Sequence, residues 1–263
     1  MELDKNYSKF SLGGFTGLFT LLFQTYFLKA PLIVIFSFLS EIGMIVLLTF
    51  VGGPSYIPIA ISGSLVSTAF LIGSGQLPME IRNFNISKLR NMIISSPVNP
   101  ISFIFAVSIG SGIHLVIEMA ILFVILIYLV PLSLLSILEI IFILTILWIF
   151  GVSFGYVLAI RNMSSVKLRT ITQTLRILFV FFAPIYYSVT ALPYPLQIIS
   201  LILPTADAAI LLHKIVGIET ITNKPEVVTV LGQSTNVLNW LILIIFTILI
   251  FIIALKSRRW EDS

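Results

Sequence analysis

Glu41, His114, Glu118, Arg176 and Asp207 stand in or beside long runs of Ile, Leu, Phe and Val. A charge in hydrocarbon costs at least about 2.5 kcal/mol at mid-helix on insertion scales, so each of these residues needs a reason. His114 and Glu118 are spaced one helical turn apart and can share a hydrogen bond or a proton. Glu41 is a candidate for a transport pathway. Interhelical hydrogen bonding accounts for the same residues without any transport role. Arg176 can reach toward an interface with its charged tip.

Other chemistry is missing. No GxxxxGK[ST] loop occurs, so this chain does not cradle nucleotide phosphates. The only aspartates are Asp4, Asp207 and Asp262, too dispersed for a magnesium-holding cluster. His114 and His213 do not form a zinc-protease motif, and there is no cysteine for a disulfide or a thiolate metal site. No metal site, bound cofactor or nucleic-acid partner is expected.

Composition explains where such residues must sit. Of the 263 residues, 58% are hydrophobic and 10% charged, and the mean hydropathy is +1.12. A soluble domain carries roughly 25% charged residues. Several runs reach the roughly 20 apolar residues that cross a bilayer, and alternating strand patterns are absent. The expectation is an all-α integral membrane protein of one domain, 1–263, with six transmembrane helices. The N-terminus does not read as a cleaved signal, because Glu2 and Asp4 sit among its few charges.

Segment 1–30 reads as a cytoplasmic, interfacial amphipathic helix, with Phe15, Phe19, Phe23 and Phe27 recurring every fourth residue. Crossings are expected over about 31–51, 56–72, 101–129, 134–160, 171–189 and 237–255. Gly110 and Gly112 allow the third to bend. Between the fifth and sixth, segment 192–216 carries Pro193, Pro195 and Pro204 with Asp207 and Lys214. An interior proline costs a helix about 3 kcal/mol. Two short helices broken at Pro204 are expected, forming a re-entrant helical hairpin. Lys and Arg concentrate before the first crossing, after the second, after the fourth and after the sixth. The positive-inside rule then places both termini in the cytoplasm of a multi-pass cell-membrane protein.

Segment 76–100 is the most informative loop. Ile86, Leu89 and Ile93 share one face of a short helix, Lys88, Arg90 and Asn91 lie off it, and Pro97 and Pro100 end it. Such a helix is a lever for a soluble partner, or else an interfacial anchor. Phe179, Phe182 and Tyr186 share a face of the fifth helix and can line a path for an amphiphile. Phe70 joins them as a candidate, and ordinary lipid-facing aromatics account for the set equally well.

The loop ending SSPVNP, from Ser95 to Pro100, resembles the coupling loop of type 2 ABC transporter permeases. The run FFAPIYYSVTALPYPLQIISLILP, from Phe181 to Pro204, is similar to that family's fifth-helix end and re-entrant hairpin. The amphipathic N-terminal helix and six-helix order agree. The acidic run that often opens the family's coupling loop is thinner here, with Glu80 alone, and no EAA-type importer loop is present.

The resemblance implies the transmembrane subunit of an ATP-driven exporter. It would pair with a second permease subunit, identical or related, and with two separate ABC ATPase subunits that hold ATP and magnesium. Ile86, Lys88, Leu89, Arg90, Ile93, Ser96 and Pro97 would couple to the ATPase, and Pro193, Pro204 and Asp207 would belong to an outer gate. The implied substrate is an amphiphilic small molecule, drug or peptide. A lipid or polysaccharide exporter, an ion-coupled transporter acting alone and a membrane-embedded enzyme are the alternatives.

Overall fold

The computed structural model describes residues 12–28, 31–86, 100–161, 163–187, 192–200, 202–217 and 235–256. Among these the chain is helical, without strands. Helix α1 is Leu12–Phe23 and runs into a π-helical turn, Gln24–Leu28. Then come α2 (Pro31–Gly52), α3 (Ile57–Ser74), α4 (Leu77–Ile86), α5 (Pro100–Ser111), α6 (Ile113–Leu129) and α7 (Leu134–Ala159). Helix α8 (Ser165–Ile177) continues as a π-helical turn, Leu178–Phe182. Helices α9 (Tyr194–Ser200), α10 (Pro204–Ile215) and α11 (Thr235–Lys256) follow.

Among the described residues, four helical runs are long and apolar enough to cross a membrane, and a bent pair makes a fifth. Helix α3 is the centre of the bundle. Its residues from Ile59 to Ser74 are all buried, and it packs against α7, α6, α10 and α2. By contrast, α2 buries nothing in its apolar window and leaves Leu32, Phe36, Leu47 and Phe50 exposed. Such a face is stable in lipid or against another apolar surface, not in water.

The α3–α7 contact is made backbone to backbone. A Cβ on Gly73 would stand 2.1 Å from the Val152 amide nitrogen and 2.4 Å from the Gly151 carbonyl carbon. Gly151 faces the Phe70 carbonyl and Gly155 the Gly73 carbonyl in the same way. Gly151 and Gly155 form a small-xxx-small pair, a spacing that lets helices approach closely in hydrocarbon.

Two boundaries differ from the expectations. Residues 77–86, expected within a polar loop, form α4, which follows closely on α3, with Leu77, Ile81 and Phe84 buried against α7 and α5. The proposed lever therefore begins where α4 ends, at Ile86, and Lys88, Leu89, Arg90, Ile93, Ser96 and Pro97 lie outside the described residues. The run expected as the third crossing is a pair of helices bent by 67° at Ser111–Gly112, in keeping with the bend that Gly110 and Gly112 allow, at the kind of Gly/Ser site where helices kink.

The fifth helix is the second difference. It starts at Ser165, because the Ser164 hydroxyl accepts the Lys167 amide at 3.3 Å as an N-cap. It stops at Phe182 rather than running to 189. Pro184 forces Ala183 into extended backbone (ψ 131°).

The expected break at Pro204 is present. Leu203 is extended, and Pro204 opens α10 at the position where a missing N–H costs nothing. The Phe15, Phe19, Phe23 and Phe27 series is a stacked ladder with ring centroids 6.0, 6.0 and 5.1 Å apart.

Candidate functional site

Polar groups converge where α2, α3, α6 and the segment after Phe182 meet. Glu41 projects from α2, and the Tyr186 hydroxyl donates to its Oε2 at 3.4 Å. Ser64 stands beside both groups, and Ser67 beside Tyr186. About one turn earlier on α2, the Ser37 hydroxyl donates to Glu118 Oε2 at 2.8 Å. Arg176 is close enough to act electrostatically on both Glu41 and Glu118.

Gly63 makes this convergence possible. A Cβ there would stand 2.6 Å from the Ile185 carbonyl and 2.6 Å from the Tyr186 ring. The non-helical segment after Ala183 therefore lies directly on the α3 backbone and carries Tyr186 to Glu41. Gly63→Val should push Tyr186 away and break the Tyr186–Glu41 contact. Cysteine cross-linking between positions 41 and 186 is then expected to fall against a Gly63 background. Unchanged cross-linking would show that the segment is held by something else.

His114 and Glu118 do not bond to each other, contrary to the expected pair. Glu118 turns one oxygen to Ser37, while its Oε1 and His114 Nδ1 have no hydrogen-bond partner among the described residues. Both side chains are buried, at 2% and 3% exposure.

The aromatic candidates separate. Phe70 is fully buried, and its ring packs against Phe150, Phe154 and Phe179, with centroids 6.0, 6.2 and 5.1 Å away. Phe70 and Phe179 are thus core here. Phe182 is 39% exposed and Tyr186 lies past the helix end, so the three do not share one helical face.

The hairpin residues also divide. Pro193 is exposed just before α9, whereas Pro204 and Asp207 are buried. Neither oxygen of Asp207 has a hydrogen-bond partner.

Sequence reasoning missed one polar link. Glu80 is buried and accepts from the Tyr26 hydroxyl and, at 3.4 Å, from Asn83 Nδ2. Burial first, and Glu80 second, hold the Tyr26 hydroxyl above its ordinary ionisation range, so it remains a donor. This ties the turn after α1 to α4, next to the proposed lever. A contact 54 residues apart has no local signal. Tyr26→Phe removes the donor and should cost about 1–3 kcal/mol, read as a lower midpoint of thermal unfolding in lipid nanodiscs. An unchanged midpoint would remove the link from the account.

Comparison with protein-family models, with curated proteins and with solved structures found no match for the chain.

Proposed function

We propose that this chain is the transmembrane permease subunit of an ATP-driven ABC exporter, with six crossings and both termini in the cytoplasm. The crossings are α2, α3–α4, α5–α6, α7, α8 with its π-helical turn, and α11. The observation that carries the reading is the pair of short helices α9 and α10. They are broken at Pro204 and stand between the fifth and sixth long helical segments, where the resemblance calls for a re-entrant hairpin. The exposed α2 supports it further, since a permease must offer an apolar face to lipid or to a second permease subunit.

On this reading, two ATPase subunits bind the cytoplasmic segment 86–96. Closing on ATP, they pull it, and α4 transmits the motion into α3, the helix that touches the most neighbours. Tyr186 and Glu41 bridge α2, α3 and the end of the fifth helix, so the same motion reshapes that junction. The substrate is an amphiphile, and the residues from 193 to 216 form the outer gate.

Replacing Leu89 and Ile93 together by Asp should abolish co-purification with the ATPase while the spans stay folded. Intact co-purification of the double variant would overturn the lever assignment. A second reading, a proton-coupled transporter acting alone, is favoured by the unpartnered atoms of His114, Glu118 and Asp207. Transport by the purified chain, driven by a pH gradient without ATP, would decide for that reading.

A further inference from the structure

A groove of about 300 Å³ separates α2 from α6, at the small end of the range of ligand pockets, about 300–1,000 Å³. Ile35, Leu39 and Ile42 of α2 form one wall and Ile117 and Ile121 of α6 the other. Ile35, Leu39 and Ile121 are 59%, 58% and 41% exposed. The mouth therefore opens on the apolar outer surface of the bundle. His114 and Glu118 form its floor; they present carbon to the groove, and their polar atoms are buried beneath.

The floor carries the argument. His114 Nδ1 and Glu118 Oε1 are buried without partners, one helical turn apart on α6, and both belong to the groove lining. A buried polar group without a partner is costly, and an occupant that supplies one recovers that cost. The two orphan atoms select the occupant: a carboxylate oxygen and an unprotonated imidazole nitrogen both accept, so it must donate to both.

We propose that this groove is a lateral binding site for an amphiphile with a primary ammonium head. Its tail lies along Ile35, Leu39, Ile42 and Ile121, and its head sits between His114 and Glu118. An ammonium brings opposite charge and three N–H donors, enough to satisfy both orphan atoms. The headgroup enters by parting the side chains that now cover those atoms. A sulfate head brings the wrong sign and a hydroxyl head brings no charge. A second copy of this chain, docking its own apolar helix, would leave the floor unsatisfied. The site faces outward from α2 and α6 and does not depend on coupling to an ATPase.

The test uses the full chain in nanodiscs without any ATPase. Three photoreactive decyl probes, carrying a diazirine in the tail, differ only in an amine, alcohol or sulfate head. The amine should label the peptides around residues 35–42 and 117–121 at about ten-fold lower concentration than the alcohol. Glu118→Gln should remove that advantage and leave alcohol labelling unchanged, which also reports that the groove is intact. Should Glu118→Gln not fold, Ile121→Trp fills the groove from its rim and should abolish labelling there by all three probes. Equal labelling by amine and sulfate, amine labelling that survives both substitutions, or exclusion of every probe by α2–α2 contact between copies would overturn the proposal.

Discussion

Gly73→Val is expected to leave no monodisperse folded protein on size-exclusion chromatography in detergent. Overpacking a core typically costs about 1–3 kcal/mol, because side chains can shift to make room. Here the space is occupied by backbone. The first added atom would lie 2.1 Å from the Val152 nitrogen, and no rotamer change moves that nitrogen. Helices α3 and α7 must separate, and with them the contacts of Phe70 with Phe150 and Phe154. Gly73→Ala should be intermediate. Gly43→Val is the control, because a Cβ there meets nothing within 4 Å. A Gly73→Val chain that elutes and melts like the parent would mean that α3 and α7 do not meet in this way.

Asp207→Leu is expected to act in the opposite direction and raise the thermal midpoint. Asp207 is fully buried in α10, which packs on α11, α3 and α7, and among the described residues neither of its oxygens has a hydrogen-bond partner. A buried unpaired polar group costs about 1–3 kcal/mol. Leucine keeps the branched shape and leaves no polar atom unpaired, so the gain should be about 1–2 kcal/mol, or roughly 2–8 °C for a chain of this size. Groups that weaken a fold are retained where activity uses them. ATP-driven transport by the assembled complex should accordingly fall in this variant while stability rises. A lower midpoint would show that Asp207 has a partner essential to the fold.

Most of the helical architecture was legible from hydropathy alone. Helices α2, α7 and α11 carry apolar runs of 18, 26 and 20 residues, and little else can be made of them. The Pro204 break was legible because proline acts locally, through its own ring and missing N–H. The same rule was available at Pro184, but the apolar residues around it masked the stop. The end of the second crossing was misread for the opposite reason. The polar stretch that begins at Gln76 suggested that the loop starts there, although Leu77, Ile81 and Phe84 recur at helical spacing and are buried.

The site was legible as a set of residues and not as an arrangement. Glu41, His114 and Glu118 stand out because charge is rare in apolar segments. The residues beside the two glutamates, Ser37, Ser64 and Tyr186, are ordinary residues of other segments, and only packing brings them close. The glycines that set the packing did have a signal. Gly151 and Gly155 are four residues apart, on one face of a single helix.

The natural chain has no cysteine, so single cysteines can be labelled without background. The most direct test places one at Arg90, within the proposed lever, or at Pro195, within the proposed outer hairpin, and adds a membrane-impermeant maleimide to sealed vesicles. A cysteine at 90 should react only from the cytoplasmic side, and more slowly once the ATPase is bound, while one at 195 should react only from the outside. Reaction of position 90 from the outside, or of both positions from the same side, would contradict an exporter permease driven through its cytoplasmic loop.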